Sequence, residues 1–224
     1  MSFTLLYLTL VLAIIDWIAV AKNWKKVEYF ARPATLIALL AWFGMNGGFS
    51  GYARWFAAGL AFSLLGEILL MLPAEQFLPG LISFLIAQIS YLIGLNQTLP
   101  PLNLASAIIF ILVLLTSIQV YRRLVVGLKA SNKSKLIEPI LVYSITISLM
   151  LFSALLTLVR KEWQAGPAIL VSLGALLFYI SDTLNARHRF IKPLPSGRLP
   201  VMVTYHLSQV LITAGALIHF NFSG

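Results

Sequence analysis

The chain has 224 residues, 60% of them hydrophobic and only 10% charged, whereas soluble domains carry about 25% charged residues, so its composition is that of a membrane protein. The net charge of +9 does not indicate nucleic acid, because the basic residues fall between apolar runs, as they do in the loops of membrane proteins. The absence of cysteine excludes disulfides, thiolate catalysis and cysteine-ligated metals. We expect one transmembrane domain over residues 1–224, since no long hydrophilic segment could form a second domain.

Eight apolar runs approach the roughly 20 residues that a helix needs to cross a bilayer. In chain order they predict helices over residues 2–21, 33–49, 54–72, 77–95, 102–121, 136–158, 166–186 and 199–221. Five prolines near helix starts support these bounds, because a missing N–H costs little in a first turn; they are Pro33, Pro79, Pro139, Pro167 and Pro200. The sequence therefore predicts an all-α, polytopic membrane bundle of eight transmembrane helices. A seven-helix bundle is the alternative, because the second run is the shortest.

The first apolar run is expected to be a retained helix and not a cleaved signal peptide, because no basic segment precedes it and Asp16 interrupts it. The distribution of Lys and Arg then predicts the orientation of the bundle. Of the 16 basic residues, 13 fall on the side that receives the ends of helices 1, 3, 5 and 7, and three fall on the other side: Arg54, Arg160 and Lys161. Because basic loops stay in the cytosol, we expect a multi-pass protein of the cell membrane with both termini outside.

Two carboxylates within apolar helices, Glu67 and Asp182, are the strongest indication of function. An ionisable group at membrane depth costs at least ~2.5–3.5 kcal/mol and usually faces a polar interior. Both acids lie near the predicted cytosolic ends of their helices, at a depth shared with other polar residues: Asp16, Tyr143, Tyr205 and His206. A buried carboxyl without a cationic partner favours its neutral form, which is what a general acid needs near neutral pH. The alternative is that the two acids only join helices.

Further polar residues share helix faces with these acids or lie at a similar depth. Tyr179 and Asn185 flank Asp182 at i−3 and i+3, and three further sites are predicted to bind a polar ligand: Tyr205 with Gln209, Gln88 with Tyr91, and Tyr143. Arg32 either holds an anionic headgroup or anchors its helix. No two histidines have the spacing of a metal site, and no G-x-S-x-G motif is present, so we expect no metal, no cofactor and no serine triad.

A weak internal similarity relates the two halves of the chain. Gln88 and Gln209 each follow an acid-bearing helix, and each is followed six residues later by a glycine, Gly94 or Gly215. A parallel repeat of four plus four helices would let the two acids face each other across a central cavity. Chance similarity between apolar helices explains the pattern as well.

Three stretches of the sequence resemble the YhhN family of membrane lysoplasmalogenases. The first is FSLLGEILLMLPAEQFLPGLISFLIAQISYLIG, the second is GALLFYISDTLNARHRF, and the third is VMVTYHLSQVLITAG. They are similar to the family patterns S-L-x-G-D-x-x-L-M-L with F-x-x-G-L-x-x-F-x-x-A-H-x-x-Y, G-A-x-L-F-x-x-S-D-x-x-L-A-x-x-x-F, and T-Y-Y-x-A-Q-x-L-I. The chain departs from these patterns where Glu67 replaces an Asp and Gln88 replaces a His, and Arg32 stands where a Lys is usual before proline.

This resemblance implies hydrolysis of the vinyl ether of a lysoplasmalogen, a single-chain lysophospholipid in the bilayer, to a fatty aldehyde and a glycerophospho-alcohol. A neutral carboxylic acid would protonate the alkenyl β-carbon, and a carboxylate would stabilise the oxocarbenium ion and activate water, as in glycosidases. We expect Asp182 to be the proton donor and Glu67 its partner. The competing classes are a proton-coupled transporter of solutes or lipids and a non-catalytic lipid-binding protein. A cavity closed on its outer side would favour the enzyme.

The orientation yields a first prediction. Reporter fusions at Asn132 and Ser196 should report cytosolic locations, and a fusion at the C-terminus should report an external one, because the basic residues cluster beside the first two positions. Paired alkaline phosphatase and fluorescent protein reporters measure this. A cytosolic C-terminus would contradict the placement of the acids in the inner leaflet.

Overall fold

The described residues form eight α-helices, the number that the sequence predicts. The computed structural model describes residues 3–72 and 76–222, and these residues include no β-strand. The helices are α1 (Thr4–Lys22), α2 (Lys25–Phe43), α3 (Ala53–Met71), α4 (Phe77–Leu95), α5 (Leu104–Ala130), α6 (Ile137–Leu156), α7 (Ala165–Phe190) and α8 (Leu199–Phe222). The predicted class, a polytopic helical membrane bundle, is confirmed.

Seven of these helices are long and apolar enough to cross a membrane, and α2 is the exception within the described residues. The reason is charge, because Lys25, Lys26, Glu28 and Arg32 occupy its first two turns. The predicted start of this helix at Pro33 is wrong: α2 begins at Lys25 and Pro33 lies inside it. A tight turn, in which Asn23 adopts the left-handed conformation with φ 57°, joins α1 directly to α2. A short π-helical segment, Gly44–Gly48, continues α2 toward α3.

The predicted ends of two other helices are also wrong. α5 continues to Ala130, beyond the expected residue 121, and α7 continues to Phe190, beyond residue 186. Arginine and lysine are good helix formers, and the added turns contain no proline, so nothing stops either helix at the membrane boundary. Basic residues that we assigned to loops therefore stand on rigid helices; they are Arg122, Arg123, Lys129, Arg187, His188 and Arg189.

Seven of the described helices form a ring of contacts, in the order α1, α2, α3, α4, α6, α7 and α8. The ring closes because α8 contacts α1, and α8 also contacts α2 and α3. Among the candidate membrane spans α8 is the most buried and α5 the least, since α5 packs outside the ring against α6 and α7. Each acid-bearing helix is paired most closely with the helix that follows it, α3 with α4 and α7 with α8.

The glycines of the suggested repeat lie in these two close pairs. A Cβ on Gly94 would come within 2.5 Å of Phe56 of α3, and one on Gly215 within 2.7 Å of Val171 of α7. Small residues permit such close approach in membranes, where van der Waals packing drives helix association. The two glycines thus have the same role in corresponding pairs, while the four-plus-four repeat itself stays a prediction.

Polar and aromatic contacts join three helices at one end of the bundle. Arg160, which follows α6, donates to Leu95 O over 2.9 Å and to Asn96 Oδ1 over 2.7 Å, at the end of α4. At the same end of the bundle Trp163 stacks on His219 of α8 with ring centroids 3.8 Å apart. These contacts join α4, α6 and α8 at the end of the bundle opposite the carboxyl ends of α3 and α7.

The close packing of α7 and α8 gives a stability prediction. In Gly174→Ala the new Cβ would lie 2.7 Å from Ile212 N and 2.9 Å from Ser208 O, so the backbones must separate. We expect a loss of about 1–3 kcal/mol from overpacking, measured as a lower midpoint of thermal unfolding in detergent. Gly166→Ala, on the same helix with nothing within 4 Å of the added Cβ, is the control. Equal midpoints for the two variants would contradict the close approach.

Candidate functional site

A cavity opens at the end of the bundle where α3 and α7 end and α4, α6 and α8 begin. The space in it that is open to a water-sized sphere is about 90 Å³, and α5 supplies part of its wall. Apolar side chains such as Leu81, Phe84 and Ile147 form most of the surface. Six of the ten predicted site residues line it: Glu67, Tyr143, Tyr179, Asp182, Asn185 and Tyr205. The cavity therefore brings together, from four helices, residues that are far apart in the sequence.

Asp182 lies in the wall of this cavity, and one of its two carboxyl oxygens accepts a hydrogen bond from the described residues. The hydroxyl of Tyr143 on α6 donates to its Oδ2. No hydrogen bond from the described residues reaches Oδ1. Asn185 and Tyr179, one turn away on the same face of α7, also line the cavity, and the Tyr179 hydroxyl donates to Ser117 Oγ on α5 over 3.3 Å. Asp182 thus has one oxygen held by a neutral donor and one oxygen available to a ligand.

Glu67 has a different environment, because a cation lies beside it. Arg32 Nη1 is 3.5 Å from Glu67 Oε2, so the expectation of a buried carboxyl without a cationic partner is wrong for this residue. The sequence did not reveal the pair, because 35 residues separate its members. The two carboxyls also interact electrostatically with each other across the cavity. The site therefore combines one carboxyl paired with a guanidinium and one bound by a tyrosine.

Arg32 is the centre of a buried ion network. Its side chain is fully buried, and it contacts Glu28 Oε1 over 2.5 Å and Asp16 Oδ2 over 3.5 Å in addition to Glu67. One guanidinium thereby joins α1, α2 and α3. The prediction that Arg32 holds an anionic headgroup has no support in this geometry, because three carboxylates surround the guanidinium and Arg32 does not line the cavity.

Arg198, in the loop before α8, extends this network to the mouth of the cavity. Its Nη1 lies 3.0 Å from Glu28 Oε1, and its side chain is 31% exposed. Burial lowers the pKa of Arg198, as does the nearby Arg32 cation, while Glu67 and Glu28 act in the opposite direction. Arg198 remains charged, since an arginine in a protein is effectively always protonated.

Three other predicted ligand-binding residues lie outside the cavity walls. Tyr91 of α4 is fully buried and donates from its hydroxyl to Gln209 Oε1 of α8 over 2.6 Å. Gln88 is fully buried, and neither its Oε1 nor its Nε2 has a hydrogen-bond partner among the described residues. The bond between Tyr91 and Gln209 connects α4 with α8 behind the cavity. A direct contact of these side chains with a ligand stays a prediction.

The polar residues that we expected at one depth do occupy the same end of the bundle. Trp17 of α1 donates from Nε1 to His206 Nδ1 over 3.1 Å, one residue from Tyr205 of the cavity wall. Asp16 beside Trp17 belongs to the Arg32 network. Two cations in the cavity wall, Arg189 and Arg198, were not among the predicted site residues. The sequence contained one indication of Arg189: it follows Asp182 by seven residues and so shares its helix face.

The sequence is similar to known proteins over most of its length. The profile of the YhhN family matches residues 27–216. Lysoplasmalogenase TMEM86B of Sus scrofa is 34% identical over 165 residues, which is 73% of this chain and 63% of that protein. TMEM86B of Mus musculus is 30% identical over 90% of this chain and 80% of its own length. A lysoplasmalogenase of Mycobacterium bovis is 28% identical over 83% of this chain and 69% of its own length. No solved structure matches the chain.

The ion network gives a prediction for Arg32. In Arg32→Gln three carboxylates would lose their shared guanidinium, and breaking a buried ion pair on one side costs about 3–5 kcal/mol. We expect a large fall in the midpoint of thermal unfolding. Arg54→Gln is the control, because Arg54 is exposed and contacts only the Trp55 ring, at 5.9 Å. Equal stability of the two variants would show that the Arg32 network contributes little.

Proposed function

The chain belongs to the YhhN family, and on this premise we propose that it hydrolyses the vinyl ether bond of lysoplasmalogens. The products are a fatty aldehyde and a glycerophospho-alcohol such as glycerophosphocholine or glycerophosphoethanolamine. The relatives that carry the name lysoplasmalogenase support this activity. The observation that carries the proposal is the cavity, in which Glu67 and Asp182 from separate helices share one largely apolar chamber at one end of the bundle.

The reaction needs one proton, one water molecule and charge stabilisation. Protonation of the alkenyl β-carbon converts the vinyl ether into an oxocarbenium ion. Water then adds to the carbon bonded to the ether oxygen and loses a proton, which gives a hemiacetal. Collapse of the hemiacetal breaks the bond between this carbon and the ether oxygen, so the aldehyde and the glycerol hydroxyl are released. Two carboxyl groups with different protonation states suffice for these steps.

We assign Asp182 as the proton donor. Tyr143 donates to its Oδ2, the oxygen that remains a carbonyl in the neutral acid, and Oδ1 can then carry the proton toward the substrate. The apolar wall around Asp182 disfavours its ionised form when the site is closed to water. Protonation of carbon is slow in water, and a positioned acid contributes about 10²–10⁴-fold to such a step.

Glu67 is assigned as the carboxylate that faces the developing cation. Burial disfavours the charge on Glu67, and the Arg32 guanidinium 3.5 Å away offsets part of that cost, because an opposite charge within about 4 Å stabilises a carboxylate. An ionised Glu67 attracts the oxocarbenium ion and accepts the proton of the attacking water. The Arg32 network holds this side chain in position through α1 and α2.

The shape of the cavity supports a hydrolase over a transporter. The chamber lies where α3 and α7 end, and the Arg160 and Trp163 contacts join helices at the other end of the bundle. A single-chain lipid could place its head at the mouth and its alkenyl chain along the apolar wall. We further propose that the protein is one domain in the cell membrane, with this mouth in the cytosolic leaflet and both termini outside, in agreement with the distribution of basic residues.

Product analysis tests the activity. The purified protein should release a fatty aldehyde from 1-O-alkenyl lysophospholipids and no fatty acid from the corresponding ester, because the proposed reaction begins with protonation of an alkenyl carbon, which the ester lacks. Gas chromatography of both product classes measures this. If every alkenyl headgroup leaves the lipid intact in a folded, monodisperse sample, binding or transport becomes the better assignment.

Substitutions test the two carboxyls. Asp182→Asn should lower aldehyde release at least about 100-fold, because an amide cannot deliver the proton. Glu67→Gln should lose most activity, and Glu67→Asp should retain some, since it keeps the carboxyl and restores the residue usual in the family. If the two groups act as a unit, the double variant should be no less active than the less active of the two single variants. Glu138→Gln, an exposed acid outside the cavity, is the control. Full activity of a stable Asp182→Asn protein would contradict the mechanism.

A further inference from the structure

The mouth of the cavity has a positive charge that the hydrolysis mechanism does not use. Arg189, at the end of α7, and Arg198, before α8, are the Lys and Arg residues that line it in the described part of the chain. Both lie near the carboxyl end of α7, and both follow Asp182 in the chain. A cation in this place has to be accounted for, because the reacting vinyl ether is uncharged.

The two arginines differ in how their charge is balanced. Arg198 is paired with Glu28 over 3.0 Å. Arg189 has no ion pair with any described residue, and its guanidinium lies over the Phe77 ring, with its central carbon 4.8 Å from the ring centre. Arg198 also repels Arg189 electrostatically. The ring holds the Arg189 side chain in the cavity wall, and an anion bound between the two arginines would relieve their repulsion.

The position of Arg189 relative to Asp182 matches the dimensions of a lysolipid. Seven residues of α-helix make about two turns, so the two side chains share one face of α7 and start about 10 Å apart. In a 1-O-alkenyl lysophospholipid, seven bonds separate the β-carbon of the vinyl ether from the phosphorus atom. At about 1.3 Å of advance per bond, the extended separation is roughly 9 Å.

We propose that Arg189, assisted by Arg198, binds the phosphodiester of the substrate, and that α7 sets the distance from this phosphate to the proton donor Asp182. The inference rests on the proposed function and deepens it. The planar guanidinium offers paired N–H donors that match two phosphate oxygens. The two arginines therefore determine the preference for the phosphate-bearing lysolipid of the proposed function over a neutral alkenylglycerol.

Kinetics with two substrates test the proposal. In phosphate-free maltoside detergent, wild-type kcat/KM should be at least about tenfold higher for 1-O-alkenyl lysophosphocholine than for 1-O-alkenylglycerol. Arg189→Gln should bring this ratio close to one by raising KM for the phospholipid. It should leave kcat/KM for the alkenylglycerol unchanged. Arg187→Gln, on the same helix but in a separate groove against α5, should leave both substrates unchanged. An equal loss for both substrates in Arg189→Gln, or no loss for either, would overturn the proposal.

A binding measurement separates this inference from the activity itself. Saturated 1-O-alkyl lysophosphocholine cannot undergo the reaction, and it should raise the unfolding midpoint of the wild type more than 1-O-alkylglycerol does. Arg189→Lys, which keeps the charge and the stem, should lose part of this difference and Arg189→Gln most of it. If no substrate yields aldehyde but this pattern holds, the phosphate site stands and the hydrolase assignment fails. If glycerophosphocholine alone reproduces the shift, the site recognises the free headgroup and the spacing argument is wrong.

Discussion

The burial of one guanidinium among three carboxylates is the interaction on which the rest of the structure depends. Arg32 is fully buried, where an unpaired ion costs several kcal/mol, and Asp16, Glu28 and Glu67 are each within 3.5 Å of it. The network explains why α2 contains so many charges among apolar neighbours. It also joins three helices at the depth of the cavity, so that the side chain of Glu67 has a fixed position relative to α7.

The same network makes the two cavity carboxyls chemically different. Glu67 lies beside a cation, whereas Asp182 accepts a hydrogen bond from the neutral Tyr143 hydroxyl, and both face the same chamber. A pair of acids in equivalent surroundings would share their protons without a division of labour. In the proposed mechanism, Glu67 remains an anion and Asp182 gives its proton to carbon. The proposed arrangement resembles the carboxyl pairs of glycosidases, with a vinyl ether as the bond to be broken and a membrane bundle as the scaffold.

The length of α7 connects this chemistry to substrate recognition. The helix does not stop at the membrane boundary but continues for about one more turn, and its last turn presents Arg189 to the mouth of the cavity. A rigid helix holds the distance between the acid and the cation more accurately than a loop would. The mouth of the cavity lies at the end of the bundle opposite the contacts of Arg160 with α4.

The sequence by itself determined the features that depend on local composition. Apolar runs predicted eight helices, and the helix periods placed Tyr179, Asp182 and Asn185 on one face, because hydropathy and the 3.6-residue period act within a single segment. Only the tertiary structure decided which groups meet. The pairing of Arg32 with Glu67 and the bond from Tyr91 to Gln209 depend on how helices cross, which no local pattern records. The starts and ends of α2, α5 and α7 also differed from the predictions, because apolar length marks where a bilayer ends, and a charged helix with no breaker continues past it.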